Sequence, residues 1–167
     1  MIQFFLASTL LFAASGRPMV DGPAPAFEGE TTEGTLVKSE DLKGSWVVLY
    51  FYPKAFTPGC TAEACSLRDG FADLQAAGVR IFGVSLDDPK TLKKFKTEYR
   101  LPFDLISDRG KAISRAYDAL GIGGLVASRR TFIIDPRGRI AHIFDKVNTK
   151  SHDREVLEVV KKLKEKA

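Results

Sequence analysis

Residues Trp46–Phe51 read Trp-Val-Val-Leu-Tyr-Phe, six apolar side chains in a row, and Pro53 follows two positions later. A strand with one wet face alternates apolar and polar residues; an unbroken apolar run suits a strand buried on both faces, inside a sheet covered by helices. The neighbouring segments supply those helices. Within residues 61–77, Ala64, Leu67, Phe71 and Leu74 recur at helical spacing, and Gly78 is a stop signal. Val79–Ser85 reads as a second strand, Asp87-Asp88-Pro89 opens a helix carrying Leu92, Phe95 and Tyr99, and residues 103–106 form a short strand. Ile113, Ala116, Tyr117 and Leu120 make a further helical stripe that ends at Gly121. Residues 131–134 and 139–144 flank Asp135-Pro136-Arg137-Gly138, the composition of a type I turn, and so predict a hairpin. Residues 153–166 close the chain as an amphipathic helix, acidic at its start and basic at its end, with Val156, Val160 and Leu163 inward. Strands alternating with helices, followed by a hairpin and a helix, predict one α/β domain with a central mixed β-sheet flanked by helices.

At 167 residues with 44% hydrophobic content, the chain can bury a core without covalent staples, and two cysteines cannot make a disulfide scaffold. Twenty-five basic against 21 acidic residues leave a net charge of +4, intermixed along the chain. No nucleic-acid partner is expected from that balance. The run Lys90, Lys93, Lys94, Lys96 and Arg100 is expected to be a solvated helix face. His142 and His152 share no ligand spacing with the cysteines, so neither a metal site nor a cofactor is expected. No apolar run reaches the roughly 18 residues of a membrane span.

Residues 2–14 are apolar or small and uncharged, and Ala13 with Ser15, or Ala14 with Gly16, could precede a cleavage point. Residues 1–16 therefore read as a secretory signal peptide, with the folded domain at 17–167 and residues 17–26 an irregular lead-in rich in Pro and Gly. A periplasmic or secreted location follows from that reading; a misassigned start would make the protein cytoplasmic.

Both cysteines lie just past the strongest strand, in Pro53-Lys-Ala-Phe-Thr57-Pro-Gly-Cys60-Thr-Ala-Glu-Ala-Cys65. Cys60 falls where a Pro-Gly turn meets the start of a helix, a place whose free N–H groups and dipole favour an anion. Thr57 offers a hydroxyl that donates and accepts, and Gly59 lets the backbone approach a small ligand. Buried free cysteines are commonly inert, but a strand-to-helix elbow is where α/β folds present reactive groups.

Pro53-x-x-x-Thr57-x-x-Cys60 resembles the active-site pattern of the peroxiredoxins, thiol peroxidases of thioredoxin-like fold. The stretch from Tyr50 to Cys65, followed by Leu67-Arg68-Asp69, is similar to the peroxiredoxin Q (bacterioferritin comigratory protein) branch, and Arg129-x-x-Phe132-Ile-Ile-Asp135 matches the family's Arg-bearing strand. The resemblance covers residues 21–166. It implies that Cys60 attacks the peroxide and that Cys65 resolves the product as an intramolecular disulfide. Thr57 and Arg129 would hold the peroxide oxygens and the thiolate, and Pro53 would shield the pocket. A thioredoxin or thioredoxin-like reductant would restore the thiols, and a monomer is expected. Residues 118–128 are shorter and richer in Gly than the branch pattern, which leaves the choice among hydrogen peroxide, alkyl and lipid hydroperoxides open. On a strand only one of Arg129 and Arg130 faces the pocket; the family register selects Arg129 and predicts a solvated Arg130. Two further classes compete: a thiol–disulfide oxidoreductase or electron carrier on the same fold, and a binding or holdase domain. The spacing Cys-x4-Cys, rather than Cys-x-x-Cys, disfavours the carrier.

Overall fold

The computed structural model describes residues 16–167, so the leader expected at residues 1–16 lies outside the described residues except for Gly16. Five strands form the central sheet in the order β5-β4-β3-β6-β7. They are β3 (Trp46–Phe51), β4 (Val79–Ser85), β5 (Asp104–Ser107), β6 (Arg130–Ile134) and β7 (Ile140–Phe144). β3, β4 and β5 run parallel, while β6 is antiparallel to both β3 and β7. The sheet is therefore mixed, with the expected buried strand at its centre.

The period of two along β3 divides the interior. Val48 and Tyr50 face one layer with Ala64, Leu67, Leu74, Leu92, Phe95, Val156 and Val160. Those residues belong to α1 (Pro58–Asp69), α2 (Phe71–Ala76), α3 (Pro89–Glu98) and α5 (His152–Glu165). Val47, Leu49 and Phe51 face the other layer with Phe27, Val37, Ile113, Tyr117 and Phe132. That second face is covered by α4 (Ala112–Ala116) and by a short hairpin of β1 (Glu28–Glu30) and β2 (Leu36–Lys38), which the sequence pattern did not reveal.

Local signals explain the start of α3 and the β6–β7 turn. Asp88 caps α3 by accepting the Thr91 N–H at 3.0 Å, with Pro89 in the first turn. The β6–β7 turn is closed by Asp135, whose carboxylate accepts the N–H groups of Arg137 and Arg139 at 2.9 Å each, and by Gly138 at φ +79°.

Three expectations need correction. The single helix over 61–77 is two, broken at Gly70, because α5 presses on that point: a Cβ there would lie 2.6 Å from Asp153 Cβ. The stripe ending at Leu120 is helical only through Ala116; Asp118 turns to φ +49°, and Leu120 pairs with Ala127 in an isolated bridge. Lys96 leaves the solvated face, its side chain only 18% exposed between Asp104 at 2.7 Å and Glu33 at 3.3 Å. Lys90, Lys93, Lys94 and Arg100 are exposed as expected. No helix among the described residues is long and apolar enough to cross a membrane.

Candidate active site

The chain leaves β3 through a tight loop tied to β4. The Ala55 N–H donates to Asp87 at 2.8 Å, and the Ser85 hydroxyl donates to the same carboxylate oxygen at 2.9 Å. Phe56 adopts φ +67°, and Thr57 then turns to extended backbone as the residue before α1, with Pro58 in the first helical turn. This brings Cys60 into that first turn, buried, beside the unpaired N–H groups at the helix start. The Thr57 hydroxyl does not cap the helix; it donates to the Lys54 carbonyl at 2.6 Å, which leaves its lone pairs free to accept. Pro53 stands half-buried at the mouth of the same loop.

Arg129 enters from the residue preceding β6. Its Nη2 donates to Cys60 Sγ at 3.3 Å, and Nη1 donates to the Glu63 carboxylate, so one planar group serves two helix residues a turn apart. Gly59 makes the approach possible: a Cβ at that position would lie 3.1 Å from Nη2. Arg130 points to the opposite face, as the strand period requires, but it is not solvated. Its side chain is 18% exposed, donates to Asp145 at 2.7 Å and to the carbonyls of Tyr117 and Asp118 at 3.3 and 2.9 Å, and lies over the Phe132 ring.

Cys65 lies five residues after Cys60 within α1, half-buried, and both thiols are free. Five helical residues separate Cα atoms by roughly 8.6 Å. A disulfide rarely spans more than about 6.8 Å, so the two thiols cannot join while α1 is intact.

Glu63, His152 and Thr131 complete the site and were not anticipated. Glu63 and His152 are fully buried behind Arg129. His152 Nε2 lies 2.9 Å from Thr131 Oγ1 and 3.9 Å from Glu63 Oε1, and Nδ1 faces Glu155 at 3.4 Å. Helical spacing held the signal: Glu63 precedes Leu67 by four, and His152 precedes Val156 by four, which puts both on inward stripes. Burial pushes the Glu63 carboxyl up to about 7, against the pull of Arg129. Burial works against the Arg129 charge, but Glu63 and Cys60 beside it hold the guanidinium above its ordinary value. His152 is depressed by burial, with Glu155 opposing the shift.

The arrangement is a thiol at a helix start with a cation held on its sulfur, a combination that can stabilise charge developing on a bound oxygen. Residues 20–143 match the model of the AhpC/TSA family. The chain is 41% identical over 152 residues to peroxiredoxin Bcp of Bacillus subtilis, covering 86% of this chain and 95% of that protein. It is 38% identical over 144 residues to peroxiredoxin Bcp of Escherichia coli, covering 83% and 92%. A solved structure of the Xanthomonas campestris bacterioferritin comigratory protein, described for its alkyl peroxide reduction activity, superposes with a TM-score of 0.79 at 31% identity. That likeness covers 87% of this chain and 98% of the other. With family model, relatives and fold in agreement, the chain belongs to the AhpC/TSA family of peroxiredoxins, in its Bcp/peroxiredoxin Q branch.

Proposed function

We propose that the chain is a two-cysteine thiol peroxidase in which Cys60 attacks and Cys65 resolves. The contact between Arg129 Nη2 and Cys60 Sγ carries the reading, because it sets a fixed cation on the one thiol that also sits at a helix start. The Cys60 thiolate attacks one peroxide oxygen and the O–O bond breaks. The leaving oxygen takes its electron pair and a proton as water or alcohol, and Cys60 becomes a sulfenic acid. Arg129 and the N–H groups of the first turn of α1 offset the charge on the leaving oxygen. The Thr57 hydroxyl accepts from the peroxide, and Pro53 limits water at the loop mouth. Cys65 then condenses with the sulfenic acid, releasing water and forming the disulfide. An external dithiol, thioredoxin or a thioredoxin-like protein, reduces it by two exchanges.

Alkyl hydroperoxides join hydrogen peroxide as the substrate class, in line with the activity described for the Xanthomonas relative. An electron carrier is disfavoured by the Cys-x4-Cys spacing, which lets the sulfurs join only when α1 opens, where the Cys-x-x-Cys of a carrier needs no such opening. One chain supplies Cys60, Cys65, Glu63 and Arg129, so a monomer suffices for turnover.

Mass spectrometry of protein treated with one equivalent of peroxide tests the roles. Cys65→Ser is expected to consume that equivalent and accumulate oxidised Cys60, while Cys60→Ser consumes none. Oxidation confined to Cys65 in the Cys60→Ser variant would reverse the assignment. Residues 1–16 serve as an export signal in this reading, supported by their uncharged apolar run. N-terminal sequencing of periplasmic protein is expected to begin at about residue 17; intact Met1 on cytoplasmic protein would refute export.

A further inference from the structure

Behind Arg129 the interior holds an acid and a base that the peroxide chemistry itself does not consume. Glu63 gives Oε2 to Arg129, while Oε1 is buried without a hydrogen-bond partner. Such an orphaned acceptor is costly unless something supplies a hydrogen. Opposite it, at 3.9 Å, stands His152 Nε2. The Glu155 carboxylate faces Nδ1 at 3.4 Å, so the neutral ring carries its hydrogen there. Nε2 is then an acceptor, satisfied by the Thr131 hydroxyl at 2.9 Å. Two acceptor atoms thus face each other in a buried space, and a proton on Oε1 resolves the conflict.

We propose that His152 is a positioning residue for the peroxidase reaction: with Glu63 it encloses a single proton-binding site, and the occupancy of that site decides whether the Glu63 carboxylate clamps Arg129 at Cys60. The step rests on the reading of Cys60 as the attacking thiol served by Arg129. With the proton lost, Glu63 is a carboxylate and fixes Nη1 by charge, so Nη2 stays on the sulfur. With the proton present, the carboxyl is neutral and the guanidinium loses its anchor.

Other titratable and polar groups face this space from each element packed around it. From β3, Tyr50 is raised well above its ordinary value by burial, and Tyr52 beyond the end of that strand is raised likewise. From α1 the facing groups are Cys60 and Glu63; from β6 and the residue before it, Thr131 and Arg129; from α5, Glu155 and Asp153. From β7 the Phe144 ring closes the pocket edge-on to His152. Burial places the Glu63 ionisation near 7, inside the working range.

The test is carbon NMR of carboxyl-labelled glutamate in the reduced full chain, with Glu63 assigned by its loss in Glu63→Gln, together with the second-order rate with hydrogen peroxide from pH 5.5 to 9. The Glu63 signal is expected to titrate near 7. His152→Leu removes the acceptor whose lone pair faces Oε1, so it is expected to move that signal down by one pH unit or more. Glu63→Gln mimics the protonated carboxyl, so it is expected to slow the peroxide step about tenfold at pH 8, and His152→Leu is expected to move the fall in rate to lower pH in step with the carboxyl signal. The double variant is then expected to be no slower than Glu63→Gln. Should His152→Leu not fold, His152→Gln retains a partner for Thr131 but cannot take the proton, and it is expected to shift the Glu63 signal. Glu63 titrating with the ordinary carboxylates, or staying unmoved in every His152 variant, overturns the proposal. So does a pH–rate profile that His152→Leu leaves unmoved, or a double variant slower than Glu63→Gln. Peroxide turnover by Cys60→Ser would instead overturn the underlying assignment of the attacking thiol, and the NMR readout does not depend on it.

Discussion

Ser66 and Asp153 exchange two hydrogen bonds between α1 and α5: the serine hydroxyl donates to the aspartate carboxylate at 2.6 Å, and the aspartate N–H donates to the serine oxygen at 3.1 Å. The pair pins α1 immediately after Cys65. Before that point the helix is entered through Pro58, lacks a side-chain cap and is tied across the fold by Arg129 to Cys60 and Glu63.

Joining Cys60 to Cys65 requires α1 to open, and the Ser66–Asp153 pair sets where opening stops. Hydrogen exchange on the peroxide-oxidised protein is expected to rise over residues 60–65 while Leu67, Leu74 and their neighbours keep the protection of the reduced form. Loss of protection running through α2, or none at all, would contradict a confined opening.

Arg129→Lys keeps a charge but loses the fork that reaches Cys60 and Glu63 together, so the peroxide step is expected to slow roughly ten- to a thousandfold. Arg130→Lys affects folding instead. It gives up the fork that reaches Asp145 and two carbonyls at once, and about 1–2 kcal/mol of stability with it. Its rate per folded molecule is expected to stay near that of the parent. Stopped-flow rates paired with urea unfolding separate the two effects, and equal rate losses at both positions would contradict the pocket geometry.

The sequence displayed what depends on period and spacing. Trp46–Phe51 announced the buried centre of the sheet, Asp88-Pro89 the start of α3, and the Pro53–Cys60 spacing the reactive elbow. What depends on contact across the fold stayed hidden. Gly70 looks like an ordinary helix residue until α5 is set against it, and Arg130 looks solvated until Asp118 and Asp145 arrive from distant segments. Glu63 and His152 lay on inward helical stripes, but a charged or polar residue there reads as a boundary of the apolar face. Only the partner on another element explains its burial.

Gly59→Ala is expected to separate rate from stability. The added methyl would stand 3.1 Å from Arg129 Nη2 and force the guanidinium aside, slowing the peroxide step several-fold or more. The same change favours the helix by up to about 1 kcal/mol, so Tm should hold or rise. A parental rate in a stable variant would mean that Arg129 has freedom the close approach does not suggest.

Glu63 also links stability to pH, with a sign opposite to that of most carboxylates. Its folded value near 7 stands above the ordinary 4.5, so between those values the native protein holds one proton more than the unfolded chain. Stability from this group is therefore complete below about 4.5, falls as pH rises toward 7, and is level above it. The loss amounts to about 3 kcal/mol across the window, burial being the cause and the Arg129 pair a partial offset. Glu63→Gln cannot ionise and lacks this slope. Urea unfolding of the reduced proteins at pH 5, 6, 7 and 8 is expected to show the variant gaining on the parent at each step up to pH 7 and then running parallel to it. Curves that stay parallel throughout would mean that Glu63 ionises alike in the folded and unfolded chains.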